Sequence, residues 1–214
     1  MSAGCNNQTA NFEGLSAAYR RILWLVILIN AAMFLTEIAA GVAARSEALK
    51  ADALDFLGDS TTYALSLWVI GQSPRRRASV ALVKGLSLFV FALWVLGSTL
   101  YRTVVLGLPE PVTMGAVGTL ALVANVICAL LLMRYRNGDA NVRSVWLCSR
   151  NDAIGNIAVV LAASGVWASG TPWPDLLVAG LLASLFLYSA AVIVRLALAE
   201  LKAAGRRLAK TGYR

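Results

Sequence analysis

Six long apolar runs alternate with short polar breaks along this chain. Each run has the roughly 20 helical residues needed to cross a hydrocarbon core. The runs lie at about 22–44, 47–72, 79–103, 112–134, 143–168 and 173–198. Residues that end helices mark the breaks: Gln72-Ser73-Pro74, then Gly107, Pro109 and Pro111, then Asn137-Gly138-Asp139, then Gly170, Pro172 and Pro174. The first break spans only Ala44 to Glu47, which makes the first two helices antiparallel neighbours. The pattern predicts an all-α membrane protein with six transmembrane helices over residues 21–200. A polar tail (1–20) precedes them and a basic tail (201–214) follows.

The basic residues orient this layout. Arg20 and Arg21, Arg75 to Arg77, Arg134, Arg136 and Arg143, and the tail residues Lys202, Arg206, Arg207, Lys210 and Arg214 all fall on one side. Only Arg45, Lys50 and Arg102 fall on the other. The positive-inside rule then places both termini in the cytoplasm. On that topology the sequon Asn7-Gln8-Thr9 is cytoplasmic and reads as a chance match. Residues 1–19 are polar and do not form a signal peptide. The basic tail fits either an anionic lipid surface or a solvated flank.

Composition agrees with the pattern. The chain is 59% hydrophobic and 14% charged, against about 25% charged in an average soluble domain, and its mean hydropathy is +0.71. The net charge of +8 would suit nucleic acid, but the bases flank apolar runs and form no face interleaved with aromatics, so no nucleic-acid partner is expected. The cysteines are Cys5, Cys128 and Cys148, without a CxxC and without a disulfide framework. Cys128 reads as a small core residue. Histidine, the commonest metal ligand and proton carrier near neutral pH, is absent.

The candidate chemistry lies inside the apolar runs. Asp55 and Asp59 are four apart in the second run, and Cys148 and Asp152 are four apart in the fifth. Residues at that spacing share a helix face, so each pair makes a two-pronged claw. Two claws on facing helices would form a four-ligand cage. An ionisable residue at the centre of a membrane helix costs about 2.5–3.5 kcal/mol on insertion scales, and such residues mark ion or proton paths. The competing reading is a helix end lapping into water. It fits Asp52, nearer the end, better than Asp59. Three carboxylates and one thiolate suit a tetrahedral divalent cation, and the sulfur favours zinc or cadmium over magnesium, calcium or manganese. These ligands bind metal only when deprotonated, so metal entry expels protons and protonation expels metal.

Other polar residues in the runs are Asn30, Glu37, Lys84, Asn125, Arg150 and Asn156. Asn156 continues the claw face and, with Asp52 and Glu37, is a candidate accessory ligand. Lys84 and Arg195 are placed to snorkel from helix ends. Arg150 points away from the claw. A structural ion pair with Glu37, or contact with cytoplasmic water, suits it better than a gating role. No nucleophile–base pair and no phosphate-cradling glycine loop is present, so no enzyme activity is expected.

At these residues the chain resembles the cation diffusion facilitators, a family of divalent-metal/proton antiporters. The second run reads Ser46-Glu47-Ala48-Leu49-Lys50-Ala51-Asp52-Ala53-Leu54-Asp55, with Asp59 four residues on, close to the family's second-helix pattern. Glu37-Ile38-Ala39-Ala40-Gly41 is similar to the end of its first helix. Asp152-Ala153-Ile154-Gly155-Asn156 matches its fifth, with Cys148 where histidine is usual, and Pro172-Trp173-Pro174-Asp175 resembles its sixth. The likeness runs to about Glu200. It implies a short member without the family's small cytoplasmic domain, and a homodimer resting on membrane helices, the third above all. It implies no permanently bound cofactor; the metal is transported.

The combined expectation is efflux of a divalent transition metal by alternating access coupled to proton antiport, in a bacterial inner membrane. Zinc or cadmium ranks first, then cobalt, then iron, with manganese last. Two other readings stay open. One is a non-transporting membrane subunit or metal-responsive partner. The other is a small proton-coupled exporter of organic cations.

Overall fold

The computed structural model describes residues 16–68, 74–105, 107–135 and 140–211, with side chains described except at 66, 74, 75, 77, 140–148, 151 and 203–211. Six helices follow one another: α1 (Ala17–Ala43), α2 (Glu47–Trp68), α3 (Pro74–Val104), α4 (Pro111–Met133), α5 (Ala140–Ser169) and α6 (Trp173–Thr211). No strand occurs among the described residues.

The helix starts follow from local chemistry. Ser16 caps α1 by accepting the Tyr19 amide at 3.2 Å. Glu110 caps α4, accepting the amides of Val112 (3.0 Å) and Thr113 (2.6 Å). Hydrogen bonds from Thr113 hold its carboxyl below the ordinary carboxylate range. Pro111 and Pro74 open α4 and α3, where a missing N–H costs nothing. α3 therefore begins earlier than the 79 expected, and the arginine run lies on its first turn instead of in a loop. α6 runs past the expected end at 198, through Thr211, so most of the segment expected as a tail is helical.

The turn between α1 and α2 is closed by two backbone bonds, Ser46 N to Gly41 O at 2.9 Å and Arg45 N to Val42 O at 3.3 Å. This is the Schellman pattern, which needs a left-handed residue after the cap. Arg45 supplies it, at φ 57°.

Among the described residues, five helices are long and apolar enough to cross a membrane, and the chain is an all-α membrane protein. α2 falls short of that measure because it carries Glu47, Lys50, Asp52, Asp55 and Asp59. Its position accounts for this. α2 touches all five other helices and contributes to every buried apolar cluster: Tyr63 to one, Ala48 and Leu49 to a second, Ala51 and Leu54 to a third, Phe56 to a fourth. The other helices shield α2, so its charges face protein and not lipid. α3 packs on α6 and α2. At Gly85 a Cβ would meet Ile193 and Val194 at 2.9 Å, so the missing side chain sets the close approach of α3 to α6.

Candidate metal centre

The N-terminal end of α2 would bury unpaired amides, and α6 supplies the partner. The Asp175 carboxylate accepts from Ser46 Oγ (2.6 Å), Glu47 N (2.8 Å) and Ala48 N (3.0 Å). Ser46 Oγ in turn accepts from Leu49 N at 3.1 Å. The first three donors of α2 are thus satisfied. Glu47 is fully buried. It takes Lys50 Nζ at 2.6 Å, Arg102 Nε at 3.4 Å and Ser98 Oγ at 2.5 Å.

Two turns further along, the pattern reverses. Asp55, Asp59 and Asp152 each bring a carboxylate oxygen within 4.8 Å of the other two. Asp152 reaches across from α5 to both α2 acids. Carboxyl groups this close stay together only with a proton or a cation between them. Zinc–carboxylate bonds are roughly 2.0–2.2 Å long, so a bound ion would draw these oxygens together. The ligating chemistry is all hard oxygen at this point. The Cys148 side chain lies outside the described residues, although α5 is continuous from it to Asp152.

The accessory candidates are placed as follows. Asn156 is fully buried one turn beyond Asp152 and lies against Asn125 of α4 at 3.4 Å. Glu37 of α1 and Asp52 of α2 face each other, 0% and 2% exposed. Both Glu37 oxygens and Asp52 Oδ2 lack a hydrogen-bond donor. Of the two readings of Arg150, the ion pair with Glu37 is therefore not formed. Arg150 is exposed, while Glu37 is buried.

Three residues at the site or at its support escape a reading of the sequence. The Tyr63 hydroxyl donates to Asp59 Oδ2; its i, i+4 spacing from Asp59 is a usable signal. Lys84, expected to snorkel, donates to Thr62 Oγ1 on α2, three residues from Asp59. Asp175 stands out in the sequence only as part of a motif; its capping of α2 is a long-range contact with no local signal. Cys128 is buried, as a core residue should be.

A helical membrane domain whose central helix presents acids to a facing acid has the groups a cation site within a membrane would need. Residues 23–201 match the family model described as the cation efflux transmembrane domain. The chain belongs to that family, the cation diffusion facilitators its motifs resemble. It is also similar to two bacterial proteins. One is the metal cation efflux system protein CzcD of Cupriavidus metallidurans, 25% identical over 174 residues, which are 76% of this chain and 55% of the relative. The other is the cation efflux system protein CzcD of Alcaligenes sp., with the same identity and coverage. The chain thus spans about half the length of the curated relatives it matches.

Proposed function

We propose that this protein exports a divalent transition-metal cation across a bacterial inner membrane in exchange for protons. Zinc or cadmium ranks first as cargo, then cobalt, then iron. The observation that carries this reading is the convergence of Asp55, Asp59 and Asp152 from two helices. Asp55 and Asp59 form one claw; Cys148 and Asp152 form the other. Asp52, Glu37 and Asn156 are accessory groups around it. Efflux of metal cations by similar bacterial proteins supports the direction of transport.

Proton exchange follows from the ligands. Carboxylate and thiolate bind metal only when deprotonated, so each ion that enters displaces protons and each proton that returns weakens the ion's hold. With no histidine in the chain, the acids and Cys148 carry those protons. Both termini in the cytoplasm, from the distribution of Lys and Arg, and a homodimer through α3 complete the proposal. The tight spacing of the acid oxygens favours a small ion over an organic cation.

The test is flux in proteoliposomes under an imposed pH gradient. Zinc or cadmium should accumulate when the lumen is acidic and the gradient runs outward. No flux of any metal under any gradient, with folded protein, would remove the proposal and leave the non-transporting subunit. Calorimetry in buffers of different ionisation heat should show protons released per ion bound, with affinity falling as pH falls.

A further inference from the structure

One cation of the protein itself approaches the acid cluster. Lys84 lies on α3, where a cavity of ≈ 420 Å³ opens between α2 and α3, lined by Leu57, Thr61, Val80, Lys84 and Leu88 among others. The lining is overwhelmingly apolar, and an ammonium facing it needs a polar partner. Snorkelling outward along the cavity was open to it. Instead it bonds Thr62, less than one helical turn from Asp59 on α2. The neighbouring Gly85 seats α3 closely on Ile193 and Val194, and this packing fixes the rotation of α3 that aims Lys84 at α2. Asp59, three residues before Thr62 on the same helix, also takes the Tyr63 hydroxyl.

We propose that Lys84 is a tethered counter-cation of the metal site: held by Thr62 beside Asp59, it offsets one negative charge of the acid cluster, so that a bound divalent ion is held loosely enough to leave. This rests on the cation-site reading above. A transport site must bind well enough to load and weakly enough to unload. Three carboxylates without a fixed positive charge nearby would favour loading alone. Lys84 is a positioning residue here: it touches Thr62 and acts on the ion through the field at Asp59. Asp55 and Asp152 are the other members of the acid cluster.

The experiment compares the wild type with Lys84→Met, Lys84→Arg and Thr62→Val. Zinc affinity is read by calorimetry on purified protein, and zinc flux in proteoliposomes. Lys84→Met should bind zinc about tenfold more tightly, the scale of one partly screened charge nearby. Its maximal flux should fall and its half-saturating zinc concentration should fall with it. Lys84→Arg should restore both. Thr62→Val, which releases the ammonium, should shift affinity in the same direction by less. Unchanged or weaker zinc binding in Lys84→Met overturns the proposal. If that variant does not fold, Thr62→Val decides: tighter binding supports it and unchanged binding overturns it. Wild type that binds zinc but moves none overturns the transport reading, and the affinities still decide the role of Lys84. Wild type that binds no zinc overturns both.

Discussion

α2 buries carboxylates in two places and treats them in opposite ways. At its first turn, Glu47 is matched by Lys50, Arg102 and Ser98, and the Asp175 carboxylate against it takes three donors. Two turns on, Asp55 and Asp59 face another acid, Asp152, and Asp52 faces Glu37. A buried charge persists only if something neutralises it. At the first turn the protein supplies that partner itself. In the middle it supplies most of the negative charge, and a partial answer in Lys84. The remainder must come from outside, as protons or a metal ion. The difference separates a joint from the proposed binding site on one helix, using the same residue type.

The largest effect that would sharpen this contrast is at the site. Asp59→Ala should abolish flux of every metal in proteoliposomes while leaving the melting temperature in detergent unchanged or higher, because it removes an acid that faces acids. A marked drop in melting temperature with flux retained would turn the comparison around. Next comes the joint. Asp175→Ala leaves two α2 amides and the Ser46 hydroxyl without their acceptor, and should cost about 3 kcal/mol, seen as a lower midpoint in thermal denaturation. Zinc affinity of the folded fraction should stay near that of the wild type.

These two outcomes bear on how much of the molecule is legible in its sequence. The six helices are, because hydrophobic run length and helix breakers are local signals. So is the meeting of Asp55, Asp59 and Asp152, because an acid in an apolar run is costly unless it meets a cation or a proton, and the i, i+4 spacing sets its face. Which cation turns toward which acid is not legible. Lys84 could equally snorkel, and only the seating of α3 on α6 at Gly85 decides. Charge alone pairs Arg150 with Glu37, and the structure leaves Arg150 exposed and Glu37 buried. Asp175 caps a helix more than a hundred residues away, and no local pattern announces that. In sequence, α2 is a membrane span with a site in it. The structure explains how its polar content is tolerated: five neighbours surround it.

Smaller effects probe the edges of the comparison. Cys148→Ser should weaken cadmium binding by about tenfold and manganese binding little, since thiolate favours the softer ion; calorimetry with both metals reads the difference. An equal loss for both would remove sulfur from the selectivity argument, and no loss would remove Cys148 from the site. The smallest is at the turn. Arg45 holds a left-handed conformation, φ 57°, which costs a side-chain-bearing residue about 1 kcal/mol. Arg45→Gly should stabilise the protein by up to that amount, read as a small rise in melting temperature with flux unaltered.

The Asp175 clasp also has a mechanical meaning. It pins the Glu47 end of α2 to α6, and at the same end the short turn pins α2 to α1, while Glu110 N bonds Ala44 O at 2.9 Å and draws in the start of α4. Four helices therefore meet at one fulcrum. Displacement along a rod held at one end grows with distance from the pin. At the helical rise, Asp59 lies about 18 Å from Glu47 and Trp68 about 31 Å. A tilt of about 10° would leave the pinned end in place, swing Asp59 by about 3 Å and carry the far end by about 5 Å. Any such tilt would move the acids on α2 past Asp152 on α5 without loosening the joint, the motion that the proposed transport would call for.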